Sequence, residues 1–210
     1  MHSIVAGMPR SGFPYVVLRD RRAPGGVPSR PHMRIINTDK NTPLNGAFSA
    51  IRACRTHGPI HSLFLICHGV TGRDQKELIS REGIGGEGLA LGKGGVRHSN
   101  VAAWIAIRGT VQNIVIYACN AAETQPGYVG TANDGKYLMG ALALHTQATV
   151  YAGDVAQYTE DTRPSLGKRG ALAFGSWEGQ LWRFRPNGCA GVRVSKAPVE
   201  FDEVLRGLYA

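Results

Sequence analysis

The sequence predicts an α/β domain built on a mostly parallel central sheet, and three observations carry that expectation. The run 61–67 is short, apolar and bounded by turn residues, the pattern of a strand buried on both faces, and 33–36, 111–117 and 148–152 read as further strands. Amphipathic helical segments alternate with them, and strand–helix alternation favours parallel neighbours joined by right-handed crossovers. At 210 residues, 43% of them hydrophobic and 19% charged, the chain can bury one core of ordinary depth, and it contains neither an internal repeat nor a dividing linker.

Residues 1–32 hold five of the eleven prolines and one short apolar run, Tyr15 to Leu18. They read as an irregular arm with one strand, ahead of a single domain over 33–210. After the strand at 33–36, Thr42 is placed to cap a helix and Pro43 to open it. Leu44, Ala47, Phe48, Ile51 and Cys54 then recur at spacings of three and four, giving one apolar face that ends at Gly58-Pro59. The strand at 61–67 stops at His68-Gly69, a polar, glycine-rich stretch follows over 70–88, and Leu89-Ala90-Leu91-Gly92 is a brief apolar return. Ser99 is placed to cap a helix through Arg108, with Gly109 as its stop. The strand at 111–117 runs out at Ala118-Cys119-Asn120. Asp134 caps a further helix with Tyr137, Leu138, Ala141, Leu142 and His145 as its inner face, and 148–152 is the next strand. Segments 171–177 and 180–185 flank Glu178-Gly179 and predict an antiparallel hairpin. Phe201, Val204, Leu205 and Leu208 predict a short terminal helix.

Several function classes fall away. The longest apolar stretches, around 101–107 and 137–144, are far short of the ~20 residues of a membrane helix, so no membrane span is expected. The opening Met1-His2-Ser3-Ile4 lacks the basic head and apolar segment of a Sec signal, so the expected location is cytoplasmic, or beyond it by a non-Sec route. Four cysteines without a C-x-x-C pair suit a reducing compartment rather than a disulfide scaffold. Lys and Arg outnumber Asp and Glu by 24 to 15, a net charge of +9 that admits a polyanionic partner. Its densest clusters, Arg19-Asp20-Arg21-Arg22 and Lys168-Arg169, lack interleaved aromatics, which argues against a nucleic-acid platform. Gly92-Lys93 is no phosphate loop, because Glu87 and Gly94 stand where Gly and Ser or Thr are required. Gly83-Ile84-Gly85-Gly86-Glu87-Gly88 opens no helix and so is no dinucleotide fingerprint. His57 and His61 have no further ligand at metal spacing. No cofactor or metal is expected.

The chemistry points elsewhere. In an open parallel sheet, ligands gather beyond the carboxyl ends of the strands, where loops converge. His68 and Cys119 each stand at such an end, on consecutive strands of this reading. A thiol becomes a useful nucleophile when an adjacent imidazole takes its proton, so the two form a candidate dyad.

Leu63-Phe64-Leu65-Ile66-Cys67-His68-Gly69 and Ile114-Val115-Ile116-Tyr117-Ala118-Cys119-Asn120 resemble the two hallmark strands of the caspase-like cysteine peptidases, one ending in His-Gly and one in a small residue followed by Cys. The group includes caspases, metacaspases, gingipains, clostripain-like enzymes and self-cleaving domains of large bacterial toxins. Leu89-Ala90-Leu91-Gly92, Tyr117-Ala118-Cys119-Asn120 and the series Gly135, Leu138, Leu142-Ala143, Thr146, Ala148, Val150, Ala152 further resemble a bacterial caspase-like domain of very large surface proteins. The resemblance spans roughly 61–185. It departs at Ala121, where caspases have Gly, and at Tyr117, where metacaspases place an acidic pocket residue.

The resemblance implies a caspase-like three-layer sandwich with a C-terminal antiparallel hairpin, and a cysteine endopeptidase that needs no cofactor and acts on a protein or peptide. Cys119 would attack the scissile carbonyl, His68 would protonate the leaving amine, and the N–H groups of Gly69 and Cys119 would form the oxyanion hole. No third member of the triad can be named from the sequence. Asn120 either shapes the turn or contacts substrate. Asp154, expected at the end of the next strand with Glu160 and Asp161 nearby, either caps a turn or makes an acidic pocket for Lys or Arg. In the second case Arg19 to Arg22 and Lys168-Arg169 are candidate self-cleavage sites. Two other classes stay open: an inactive caspase-like binding module whose basic surface holds a protein or polyanion, and an enzyme using Cys119 for acyl transfer or non-peptide hydrolysis.

Overall fold

The computed structural model describes residues 13–55, 58–70, 86–157, 160–162, 171–187 and 190–207. Among these, seven strands form one sheet. The first, β1 (Tyr15–Asp20), is almost wholly buried, and β2 (Met33–Thr38) pairs with it in parallel from Tyr15↔Met33 to Asp20↔Thr38. On the other side of β1 lies β3 (Ile60–Ile66), also parallel, with Leu18 opposite Leu65. The sheet continues through β6 (Val111–Tyr117) and β7 (Thr149–Gly153), both parallel. It ends in β10 (Leu181–Phe184) and β11 (Val192–Val194), each antiparallel to its neighbour. The spatial order is β11-β10-β7-β6-β3-β1-β2. Two small antiparallel pairs lie outside it, β4 (His68–Val70) with β5 (Gly88–Ala90), and β8 (Glu160–Thr162) with β9 (Ala171–Ala173). The α/β class with a mostly parallel sheet is therefore as the sequence predicted.

Strand alternation divides the core in two. Val16, Leu18, Leu63, Leu65, Ile114 and Ile116 point to one face, which α1 (Leu44–Ala53), a 3₁₀ segment (Val101–Ile107) and α2 (Gly135–Thr146) cover. Phe48 of α1 packs edge-on against Trp104 of the 3₁₀ segment at 5.1 Å, both fully buried. Val17, Phe64, Ile66, Val115 and Tyr117 point to the other face, against Phe174, Phe201 and α3 (Phe201–Leu205).

Five local expectations are corrected. The strand anticipated in the N-terminal arm occupies the sheet between β2 and β3, so the sheet begins at Tyr15 rather than Met33. Helix α1 starts one residue late, with Pro43 at its N-cap, because the Thr42 hydroxyl donates to Asp39 at 2.9 Å instead. The helix expected from Ser99 is a 3₁₀ segment opening at Asn100, and Ser99 does not cap it. Tyr137 lies on the outside of α2 at 59% exposure, whereas the Asp134 cap holds, its carboxylate accepting from the Tyr137 N–H at 3.1 Å. Finally, β10 pairs with β11 and not with the segment before Glu178-Gly179. That segment is pulled to the opposite face: Trp177 stacks on Tyr117 at 4.8 Å, and its indole N–H donates to Glu200 at 3.0 Å. The C-terminal hairpin exists, then, with different strands.

No helix among the described residues is long and apolar enough to cross a membrane. Cys189, Leu208, His57, Lys168-Arg169 and most of the glycine-rich stretch lie outside the described residues.

Candidate active site at the ends of β3 and β6

Ile66 and Tyr117 are paired on adjacent parallel strands, and His68 and Cys119 each follow two residues later. The Cys67 N–H donates to the Tyr117 carbonyl at 3.3 Å, which carries the pairing past the strand ends. Gly69 then meets Cys119 backbone to backbone. A Cβ at Gly69 would sit 1.7 Å from the Cys119 carbonyl oxygen, so only glycine fits this approach. The two residues assigned to an oxyanion hole are thus neighbours, and among the described residues the Cys119 N–H donates to no backbone carbonyl.

His68 is half-buried, and its Nε2 lies 3.0 Å from the Arg22 carbonyl oxygen. A carbonyl can only accept, so Nε2 carries the proton in this bond, leaving Nδ1 unprotonated in the neutral ring. The Arg22 carbonyl is the orienting group that side-chain motifs could not reveal. Its own position is set by Asp20, fully buried at the end of β1. Asp20 Oδ1 accepts from the Arg22 backbone N–H at 3.1 Å and its Nε at 2.7 Å, while Oδ2 accepts from Arg22 Nη2 and the Gly92 N–H, both at 2.8 Å. Read in the sequence as part of a surface charge cluster, Asp20 and Arg22 in fact form an ion pair under the site.

Burial pushes the Asp20 carboxyl up, but the Arg22 hydrogen bond, the Gly92 and Arg22 N–H groups and the Arg22 charge outweigh it and hold it below the ordinary carboxylate value. The charged form therefore contributes stability above the unfolded value near pH ~4, and that contribution is lost as pH falls through the lowered folded value. Asp20→Asn should cost about 2–3 kcal/mol at neutral pH, and the gap to the wild type should narrow in acid. Urea unfolding across the pH range checks this, and a gap independent of pH would refute it.

Cys119 is half-buried, and its thiol donates to the Gln157 carbonyl at 3.7 Å. Asn120 adopts φ +56°, a left-handed turn conformation that asparagine tolerates. Its N–H donates to the Val155 carbonyl at 3.0 Å and the Ala122 N–H donates to that of Gly153 at 2.9 Å, lacing the loop after Cys119 to the end of β7. Among the described residues the Asn120 side-chain oxygen is buried without a partner. Tyr117 is buried, its hydroxyl donating to Glu200 at 2.8 Å and accepting from the Phe201 N–H at 3.0 Å.

Asp154 emerges just past β7, as expected. Its Oδ1 accepts from the Gln180 N–H and its Oδ2 from Trp182 Nε1, both at 2.9 Å, so the carboxylate fastens β7 to β10. These bonds are those the turn-holding reading calls for. Self-cleavage at Arg19 to Arg22 also loses its basis, since Arg19-Asp20 belongs to a central strand and Arg22 to the network under His68.

No protein-family model, curated protein or solved structure matches the chain. The assignment of the site therefore rests on its own geometry.

Cys119 should alkylate faster than Cys54 and Cys67. Both of those are buried, and burial raises their thiol pKa, that of Cys67 far above the ordinary value. Mass spectrometry after brief iodoacetamide treatment near neutral pH reads the order, and equal labelling would remove Cys119 as an accessible nucleophile.

Proposed function

We propose that the chain is a cysteine peptidase of the caspase-like type, with Cys119 as nucleophile and His68 as general base and acid. The observation that supports it is the pairing of Ile66 with Tyr117 on adjacent strands, two residues ahead of His68 and Cys119, with the Gly69 backbone against that of Cys119. The orientation of His68 supports it too. With Nε2–H held by the Arg22 carbonyl, Nδ1 is the ring nitrogen whose lone pair can accept the thiol proton.

In the forward reaction the Cys119 thiol leaves the Gln157 carbonyl and passes its proton to His68, and the thiolate sulfur adds to the scissile carbonyl carbon. The N–H groups of Cys119 and Gly69 stabilise the oxyanion. His68 returns the proton to the departing amine, leaving a thioester on Cys119. His68 then removes a proton from water as the hydroxide adds to the thioester carbon, the C–S bond breaks to release the carboxylic acid, and His68 returns its proton to the Cys119 sulfur, restoring the thiol. The Arg22 carbonyl stabilises the imidazolium at both stages.

Matched fluorogenic peptides ending in Arg, Asp or Leu test the proposal, with Cys119→Ala as the blank. Hydrolysis above that blank is the expected result, and the preferred peptide reports the charge of the pocket. An unlabelled Cys119 together with no hydrolysis across a broad peptide library would favour the binding-module reading.

A further inference from the structure

Away from the strand ends, α2, the loop 124–129 and β10 enclose a cleft of about 700 Å³, within the range of small-molecule sites. Its walls gather three of the large apolar side chains that the protein leaves in water: Val129 at 77%, Tyr137 at 59% and Leu144 at 45% exposure. Scattered apolar side chains need no explanation, but three around one concavity do.

Charges of both signs border the cleft, and the carboxylates are the ones held by hydrogen bonds: Asp154 accepts from the Trp182 indole N–H. Trp182 forms part of the wall, with Lys136 Nζ 3.8 Å and the Arg193 guanidinium 5.3 Å from its ring centroid. Among the described residues neither cation is in an ion pair. Asp134 also borders the cleft, but its carboxylate is spent on the α2 N-terminus, accepting from the Tyr137 and Gly130 N–H groups and from Thr124 Oγ1.

Gly140 adds an independent indication. It sits inside α2, where glycine costs about 1 kcal/mol relative to alanine, yet nothing lies within 4 Å of the Cβ it lacks. Packing does not demand glycine there. The missing side chain would project into the cleft, so glycine keeps the cavity open.

We infer that this cleft binds an amphipathic organic anion, its apolar body lying against Tyr137, Leu144 and Val129 and its carboxylate or sulfonate meeting Lys136. The inference stands apart from the peptidase proposal, because its readout is binding.

The test uses 8-anilinonaphthalene-1-sulfonate as probe and decanoate, with decanol as its neutral counterpart, as competitors. One probe molecule should bind per chain, decanoate should displace it, and decanol should compete about tenfold less well or worse. Lys136→Ala should weaken decanoate by about tenfold or more. Gly140→Leu should abolish probe binding while the thermal midpoint stays level or rises, which separates a filled cleft from a damaged fold. Absence of stoichiometric probe binding to the wild type, or undiminished binding to folded Gly140→Leu, overturns the site. Equal competition by decanol and decanoate overturns the requirement for an anion.

Discussion

His68→Ala and Cys119→Ala are each expected to lower kcat/KM for any cleaved peptide by roughly 10³ or more, with stability held within about 1 kcal/mol. On the proposed mechanism the activity loss is large because nucleophile and base would act as a unit, so that removing either would leave only binding and the oxyanion donors. The stability change is small because neither side chain belongs to the core. His68 gives up one hydrogen bond to the Arg22 carbonyl, a contact of about 1 kcal/mol, and Cys119 gives up a weak thiol contact at 3.7 Å. Steady-state kinetics with urea unfolding of the same preparations separates the two effects. A folded Cys119→Ala protein that retained hydrolysis would exclude the nucleophile. Collapse of His68→Ala in the melt would assign His68 a structural role.

Among the described glycines, Gly69→Ala should be the most damaging addition of a methyl group. The added carbon would lie 1.7 Å from the Cys119 carbonyl oxygen and 2.8 Å from its carbonyl carbon. Both are main-chain atoms at strand ends, so no side chain can swing aside, and relief requires the β4 strand or the Cys119 turn to move. Overpacking of this kind should cost about 3 kcal/mol or more. It should also alter the reactivity of Cys119, since the turn that presents the thiol is what must yield. Gly46→Ala is the control: it lies in α1 with nothing within 4 Å of the new carbon, and should stabilise by roughly 0.5–1 kcal/mol. Urea midpoints and iodoacetamide rates for the two variants give the comparison. A Gly69→Ala protein as stable as the wild type, with Cys119 labelling unchanged, would mean that the close approach is absent in solution.

Much of the frame is legible in the chain because burial on both faces of a sheet leaves a one-dimensional trace. The strands ending at Ile66 and Tyr117 close on the apolar stretches Leu63 to Ile66 and Ile114 to Tyr117, the one ending at Gly153 carries Val150 to Ala152, and each belongs to the parallel sheet. His68, Cys119 and Asp154 could be placed at strand ends for the same reason: the apolar run stops and chemistry-bearing residues begin. The amphipathic face of α1 and the Asp134 cap are likewise local, set by spacings of three and four residues and by one side-chain bond.

What required the folded molecule is whatever depends on pairing across long separations or on main-chain atoms. The run Tyr15 to Leu18 reads as one strand in a proline-rich arm, and the place of β1 between β2 and β3 follows from hydrogen bonds to residues that local pattern does not identify. The 171–177 segment has the composition of a strand beside 180–185, yet Glu200, more than twenty residues on, draws Trp177 to the other face, and β10 takes β11 instead. The Arg22 carbonyl has no sequence signature at all, since every residue has one. Only the Asp20 network, joining Arg22 to Gly92 across seventy residues, makes that oxygen the one that holds His68.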